Sequence, residues 1–166
     1  MIGRRQIGNT AIINVVPTGL VSASGIVSDQ VNFVTTGLAS GVAPMAILVS
    51  FYFRTGGSAP TAGSTVQFYW ARGDSYSTYH VDAGLASAMS VTPPSGFVWS
   101  QVRDSLQFCY SQPVLAQANT GYKGSFVVYD PGPKGSLVLY NETGQALNST
   151  AANFYFRYIP IAIDVT

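Results

Sequence analysis

Few side chains in this sequence are suited to acid–base, nucleophilic or metal chemistry, and they stand apart from one another. There is one His and one Cys, with seven Asp and Glu among 166 residues. His80 lies in Tyr79-His80-Val81-Asp82. On an extended strand His80 and Asp82 would share one side, an arrangement open to two members of a Ser-His-Asp relay. No G-x-S-x-G nucleophile elbow accompanies them, so His80 reads as a loop or surface residue. Zinc needs several Cys or His ligands, and only two such residues exist. Asp74, Asp82 and Asp130 lack the spacing of a calcium loop, and no Gly-rich loop opens a helix to cradle a nucleotide. The expectation is no catalytic residue, no metal ligand and no cofactor. Cys109, in Leu106-Gln107-Phe108-Cys109-Tyr110, reads as a small buried hydrophobe, and a lone cysteine forms no disulfide within the chain.

Three short motifs carry a structural and a functional reading side by side. Arg72-Gly73-Asp74 has the form of a cell-adhesion tripeptide, but it also suits a turn with Gly at its apex and a solvated ion pair. Trp70, Tyr76, Tyr79 and Trp99 could stack on sugar rings, or the two tryptophans could belong to the core. Asn141-Glu142-Thr143 and Asn148-Ser149-Thr150 match the glycosylation sequon, yet Asn followed by small polar residues is also turn chemistry.

The charge count points in one direction. Charged residues make up 9% of the chain, against about a quarter in an ordinary soluble domain. With a net charge of +1 and scattered basic residues, the chain lacks the concentrated patch that phosphate binding requires, so nucleic acid is not expected as a partner. No stretch is apolar enough to cross a membrane, and Met1–Gln6 is not followed by the apolar run of a secretory signal, so synthesis in the cytoplasm without a secretory route is expected. Charge keeps free proteins apart, and permanent interfaces are depleted of it. The composition therefore suits a chain that works inside an assembly; the alternative is a monomer kept soluble by neutral polar residues.

These residues would be positioned by strands. Val, Thr, Tyr and Phe are abundant, and strong helix formers are scarce. Strand-like runs are Thr10–Val16, Val31–Thr35, Ala46–Arg54, Thr65–Arg72, Ala88–Thr92, Phe97–Val102, Ser105–Tyr110, Ser125–Tyr129, Ser136–Tyr140 and Asn153–Ile159. Turn signals separate them, such as Gly56-Gly57-Ser58-Ala59-Pro60 and Asp130-Pro131-Gly132-Pro133. Between Ser100 and Gln112, Val102, Leu106 and Cys109 also fall at helical spacing; the alternation of Leu106, Phe108 and Tyr110 favours a strand. The pattern predicts an all-β fold, an antiparallel β-sandwich of jelly-roll type, over residues 10–166, preceded by an arm at 1–9. Phe154, Phe156 and Tyr158 should face the core, with Tyr155 and Arg157 outside. Ile47–Phe53 is nearly continuous in apolar residues, as in a strand covered on both faces by its own fold or by a neighbour.

Two segments carry a resemblance. Ile47–Thr61, which ends in Arg54-Thr55-Gly56-Gly57-Ser58-Ala59-Pro60-Thr61 and is followed by Thr65–Trp70, resembles a pattern in small structural proteins of tailed bacteriophages. Gly135–Asn148, with its Asn141-Glu142-Thr143-Gly144 turn and Ala146-Leu147 step, is similar to a segment near the end of the same proteins. Where that family has an Asp-Gly-Gly-Thr-type loop, this chain has Arg72-Gly73-Asp74-Ser75-Tyr76-Ser77. The resemblance implies a virion component on the capsid exterior. It would be a decoration (cement) protein that binds the major capsid protein and copies of itself as a trimer, and not an enzyme. A tail-fibre or receptor- and carbohydrate-binding module is the alternative, followed by a lectin-like protein outside any virus. The partner-binding candidates are Arg4 and Arg5 on the arm, together with Tyr52, Tyr155 and Arg157.

Overall fold

The computed structural model describes residues 4–7, 11–13, 26–32, 44–73, 103–104, 106–132, 134–148, 150 and 153–164. All nine elements there are strands: β1 (Arg4–Ile7), β2 (Ala11–Ile13), β3 (Ile26–Asn32), β4 (Ala46–Arg54), β5 (Thr65–Gly73), β6 (Gln107–Pro113), β7 (Gly121–Tyr129), β8 (Lys134–Asn141) and β9 (Phe154–Asp164). They form two antiparallel sheets. Sheet A has the order β1-β9-β4-β7, with β2 also on β9, and sheet B has the order β3-β8-β5-β6. Apart from the step from β5 to β6, the chain changes sheet at each connection after β2. This order is that of a jelly roll, two Greek keys folded face to face.

Alternation builds the core. Ile47, Val49, Phe51 and Phe53 of β4, Phe126 and Val128 of β7, and Phe154, Phe156 and Tyr158 of β9 point from sheet A toward Val66, Phe68 and Trp70 of β5 and Leu137 and Leu139 of β8. Phe68 sits at the centre, with its ring centroid 4.5 Å from Phe51, 5.4 Å from Phe126 and 6.1 Å, edge-on, from Phe156. The expected stripe at Phe154, Phe156 and Tyr158 is buried, while Tyr155 is half-buried and Arg157 exposed. Trp70 is 1% exposed and donates from Nε1 to the Pro131 carbonyl at 2.9 Å, so it is a core residue and not a sugar platform. Tyr76, Tyr79, His80, Asp82 and Trp99 lie outside the described residues, as do the expected strands at 88–92 and 97–102.

Several expectations need correction. Arg4 and Arg5, assigned to an arm, belong to β1, where they pair with Asp164 and Ile163. Charged residues are usual on an edge strand, where they discourage pairing with another chain. β1 and β2 follow each other along β9 with a one-residue slip of register, and Pro160, which has no N–H to give, sits at that interruption. On β6 the register shifts opposite Phe68 and Tyr69, which face Tyr110 and Phe108. This bulge leaves Cys109 as the extra residue, so Phe108 and Tyr110 do not share a face. Phe108 is 57% exposed and lies edge-on to Tyr69, while Tyr110 packs on the core. The outward side of β4 is not covered as the inward side is, since Leu48, Ser50 and Tyr52 are half-buried. Arg72 and Gly73 are strand residues, not a turn, and Arg72 pairs with Asp130 at 2.5 Å.

At one end of the sandwich three connections are tied together, those after β4, after β6 and after β8. Thr55 N donates to Thr120 O at 2.9 Å, Gly56 N to Ala146 O at 3.0 Å and Asn119 N to Gly56 O at 2.9 Å. A side chain at Gly56 would place its Cβ 2.5 Å from the Ala146 carbonyl oxygen, so this close approach requires glycine. Both sequon asparagines make local side-chain bonds of the kind found at turns. Asn141 is fully buried, gives its Nδ2 to the Gln145 carbonyl and accepts from Thr143 N, and Asn148 Oδ1 accepts from Thr150 N.

Candidate interaction face

The outward side of sheet A is the described surface that best fits a partner. Register aligns its side chains in rows across β7, β4 and β9. Lys123, Tyr52 and Tyr155 make one row, Ser125, Ser50 and Arg157 the next, and Val127, Leu48 and Ile159 a third. Beyond these, Tyr129 and Ile161 flank Ala46.

The upper rows combine rings and cations. Tyr52 and Tyr155 stack with centroids 5.5 Å apart and planes 23° from parallel. The Arg157 guanidinium carbon lies 4.9 Å from the centre of the Tyr155 ring, within cation–π range. Gly121 makes room for the other side of Tyr52: a Cβ there would come within 2.8 Å of the Tyr52 hydroxyl. The two rings are thus held from both sides, and little rotamer freedom remains to be lost when a partner binds. Arg54, at the end of the Tyr52 strand, is fixed by its Nε bond to the Asn119 carbonyl at 2.7 Å.

Among the described side chains the charged residues of this face are cations, Arg54, Lys123 and Arg157. Of the described carboxylates, Asp130, next to Tyr129, is engaged by Arg72, Asp104 lies beside Arg103, and Glu142 is held by Gln67 and Thr65 on sheet B. The lower rows are apolar and open. Val127 is 40% and Tyr129 69% exposed, with Met45 exposed beside them. A cation–aromatic half joined to an apolar half has the make-up of an interface core, in which Tyr and Arg are enriched and charge of the other sign is sparse.

Of the five sequence candidates, the structure brings together Tyr52, Tyr155 and Arg157. Arg4 and Arg5 are on the same sheet but pair with the far end of β9, six or more residues from Arg157, which is roughly 20 Å along an extended strand. Lys123, Val127 and the role of Arg54 were missed. The signal for the first two was present, since Tyr122, Gly124, Phe126 and Val128 alternate inward, but Gly121 and Gly124 give that stretch the look of a turn. Gly124 is in fact where the Phe51 ring fits, because a Cβ would lie 2.8 Å from its Cζ.

The lone thiol belongs to the core edge. Burial pushes Cys109 up from 9.0 to about 12, so at neutral pH it stays protonated and is a poor nucleophile. Among the described residues no helix is long and apolar enough to cross a membrane, and no group of three His, Cys, Asp or Glu could hold a metal ion.

No family model matches this chain, and no curated protein matches it.

Proposed function

We propose that this chain is a virion structural protein of the capsid-decoration type, which docks on a shell through the outward face of sheet A and associates with copies of itself. The observation that carries the reading is the pre-organised Tyr52–Tyr155–Arg157 stack, continuous with an open apolar surface, on a chain with very little charge elsewhere. A face of cations without a described carboxylate suits an acidic protein surface, and the apolar rows supply the contact area. The jelly roll is used by capsid and lectin domains alike, so the fold is compatible with the role but does not select it. The role is structural rather than enzymatic, in keeping with a thiol held neutral and with described carboxylates that are engaged in local bonds.

The test is co-sedimentation with capsids assembled from the shell protein of the same genome, stripped of other components. The full-length protein should pellet with them, and Tyr155→Ala combined with Arg157→Ala should stay in the supernatant while remaining folded. Light scattering should show species heavier than 17.6 kDa. A wild-type protein that stays in the supernatant and is monomeric at every concentration would overturn the proposal.

A further inference from the structure

A second surface lies on the other sheet. Where β5, β6 and the end of β8 meet the turn at Gly144, the outward side of sheet B holds a groove of about 650 Å³. That volume falls in the usual range of small-molecule sites, ~300–1,000 Å³. Its lining includes Thr65 and Gln67 of β5, Ser111 of β6, Tyr140 at the end of β8, Glu142 and Gly144. The polar groups are fixed in advance. Glu142 Oε2 accepts from Gln67 Nε2 at 2.6 Å and from Thr65 Oγ1 at 3.1 Å. The Gln67 carbonyl oxygen accepts in turn from the Tyr69 hydroxyl at 2.5 Å. This chain sets the direction of the amide and of the carboxylate, and among the described residues Glu142 Oε1 takes no hydrogen bond.

We propose that this groove binds a neutral carbohydrate chain. The described lining is too polar for a fatty or aromatic ligand, and its charged side chain, Glu142, is negative, with the Arg103 cation outside the lining but within electrostatic reach of Tyr69 and Tyr140. What it offers is a carboxylate oxygen, short hydroxyls and an oriented amide in close array, which matches the adjacent hydroxyl groups of a sugar ring. Gly144, at φ +70°, closes the turn with no side chain to narrow the opening. The site is independent of the sheet A face, and both can be occupied at once.

The experiment is calorimetric titration of the full-length protein with maltotriose, cellotriose and tri-N-acetylchitotriose, with the cationic glucosamine trimer as a fourth probe. At least one neutral trisaccharide should bind at concentrations up to about 10 mM. Glu142→Gln should weaken that binding at least about tenfold, the loss of one charge-assisted bond. Ser111→Trp, which fills the groove from the edge strand, should abolish it while the thermal midpoint stays near that of the parent. The proposal is overturned if no neutral trisaccharide binds or only the glucosamine trimer does. It is equally overturned if binding survives both substitutions.

Discussion

Replacing Thr55 by Val tests whether the tied end of the sandwich depends on a buried hydroxyl or only on buried volume. Thr55 is fully buried between the strand it ends and the connection after β6. Its Oγ1 donates to the Gln117 carbonyl at 3.0 Å and accepts from Thr120 N at 2.8 Å. Val keeps the shape and removes both bonds. The Gln117 residue is exposed, so water can replace its lost donor at little cost. The Thr120 amide is half-buried and has no substitute, which costs about 1–3 kcal/mol. Together the loss is about 1–3 kcal/mol, or roughly 2–12 °C in thermal midpoint for a chain of this size. Thr55→Ser keeps the hydroxyl and deletes one buried methyl, about 1 kcal/mol. Denaturant titration should therefore rank Val as the more damaging change, with faster hydrogen exchange at the Thr120 amide. If Ser proves worse than Val, packing and not hydrogen bonding holds this end, and the reasoning is wrong.

Phe156→Ala should destabilise by about 3–5 kcal/mol as a buried aromatic is lost, whereas Arg157→Ala on the exposed side should cost under about 1 kcal/mol in thermal unfolding. Gly135→Ala would drive a Cβ to 2.1 Å from the Trp70 ring, displacing the indole from Pro131. The expected cost is at least about 2 kcal/mol, with a red shift of tryptophan emission. With its thiol raised from 9.0 to about 12, Cys109 should react with iodoacetamide at pH 8 on the order of a thousandfold more slowly in the folded protein than in urea, because far less thiolate is present. Equal rates would show the thiol to be accessible and ordinary.

How far the sequence could be read depended on whether side chains or backbone decide. β4 begins and ends where its apolar run does, and the Phe154, Phe156 and Tyr158 stripe faces the core, because a period of two across a strand with one buried side is a strong signal. The turn signal that begins at Asp130-Pro131-Gly132 was equally legible, with Asp130 and Gly132 both at positive φ. The bulge at Cys109 was not, since one extra residue reverses the alternation without changing composition. The pairing of β1 was also hidden, because an edge strand is held by backbone bonds that leave no side-chain pattern. The candidate face was half visible: Tyr52, Tyr155 and Arg157 follow from alternation alone. Their meeting across two strands, the space at Gly121 and the alignment of Lys123 depend on register, which no single segment encodes.

The most direct test of the docking account is a reconstruction, by electron cryomicroscopy, of the shell carrying this chain, at a resolution that traces strands. The account predicts shell-protein density against the outward face of sheet A, with an acidic residue near Arg157 and Lys123 and apolar contacts over Leu48 and Val127. A map in which that face is open to solvent, while the tied end or sheet B meets the shell, would contradict it.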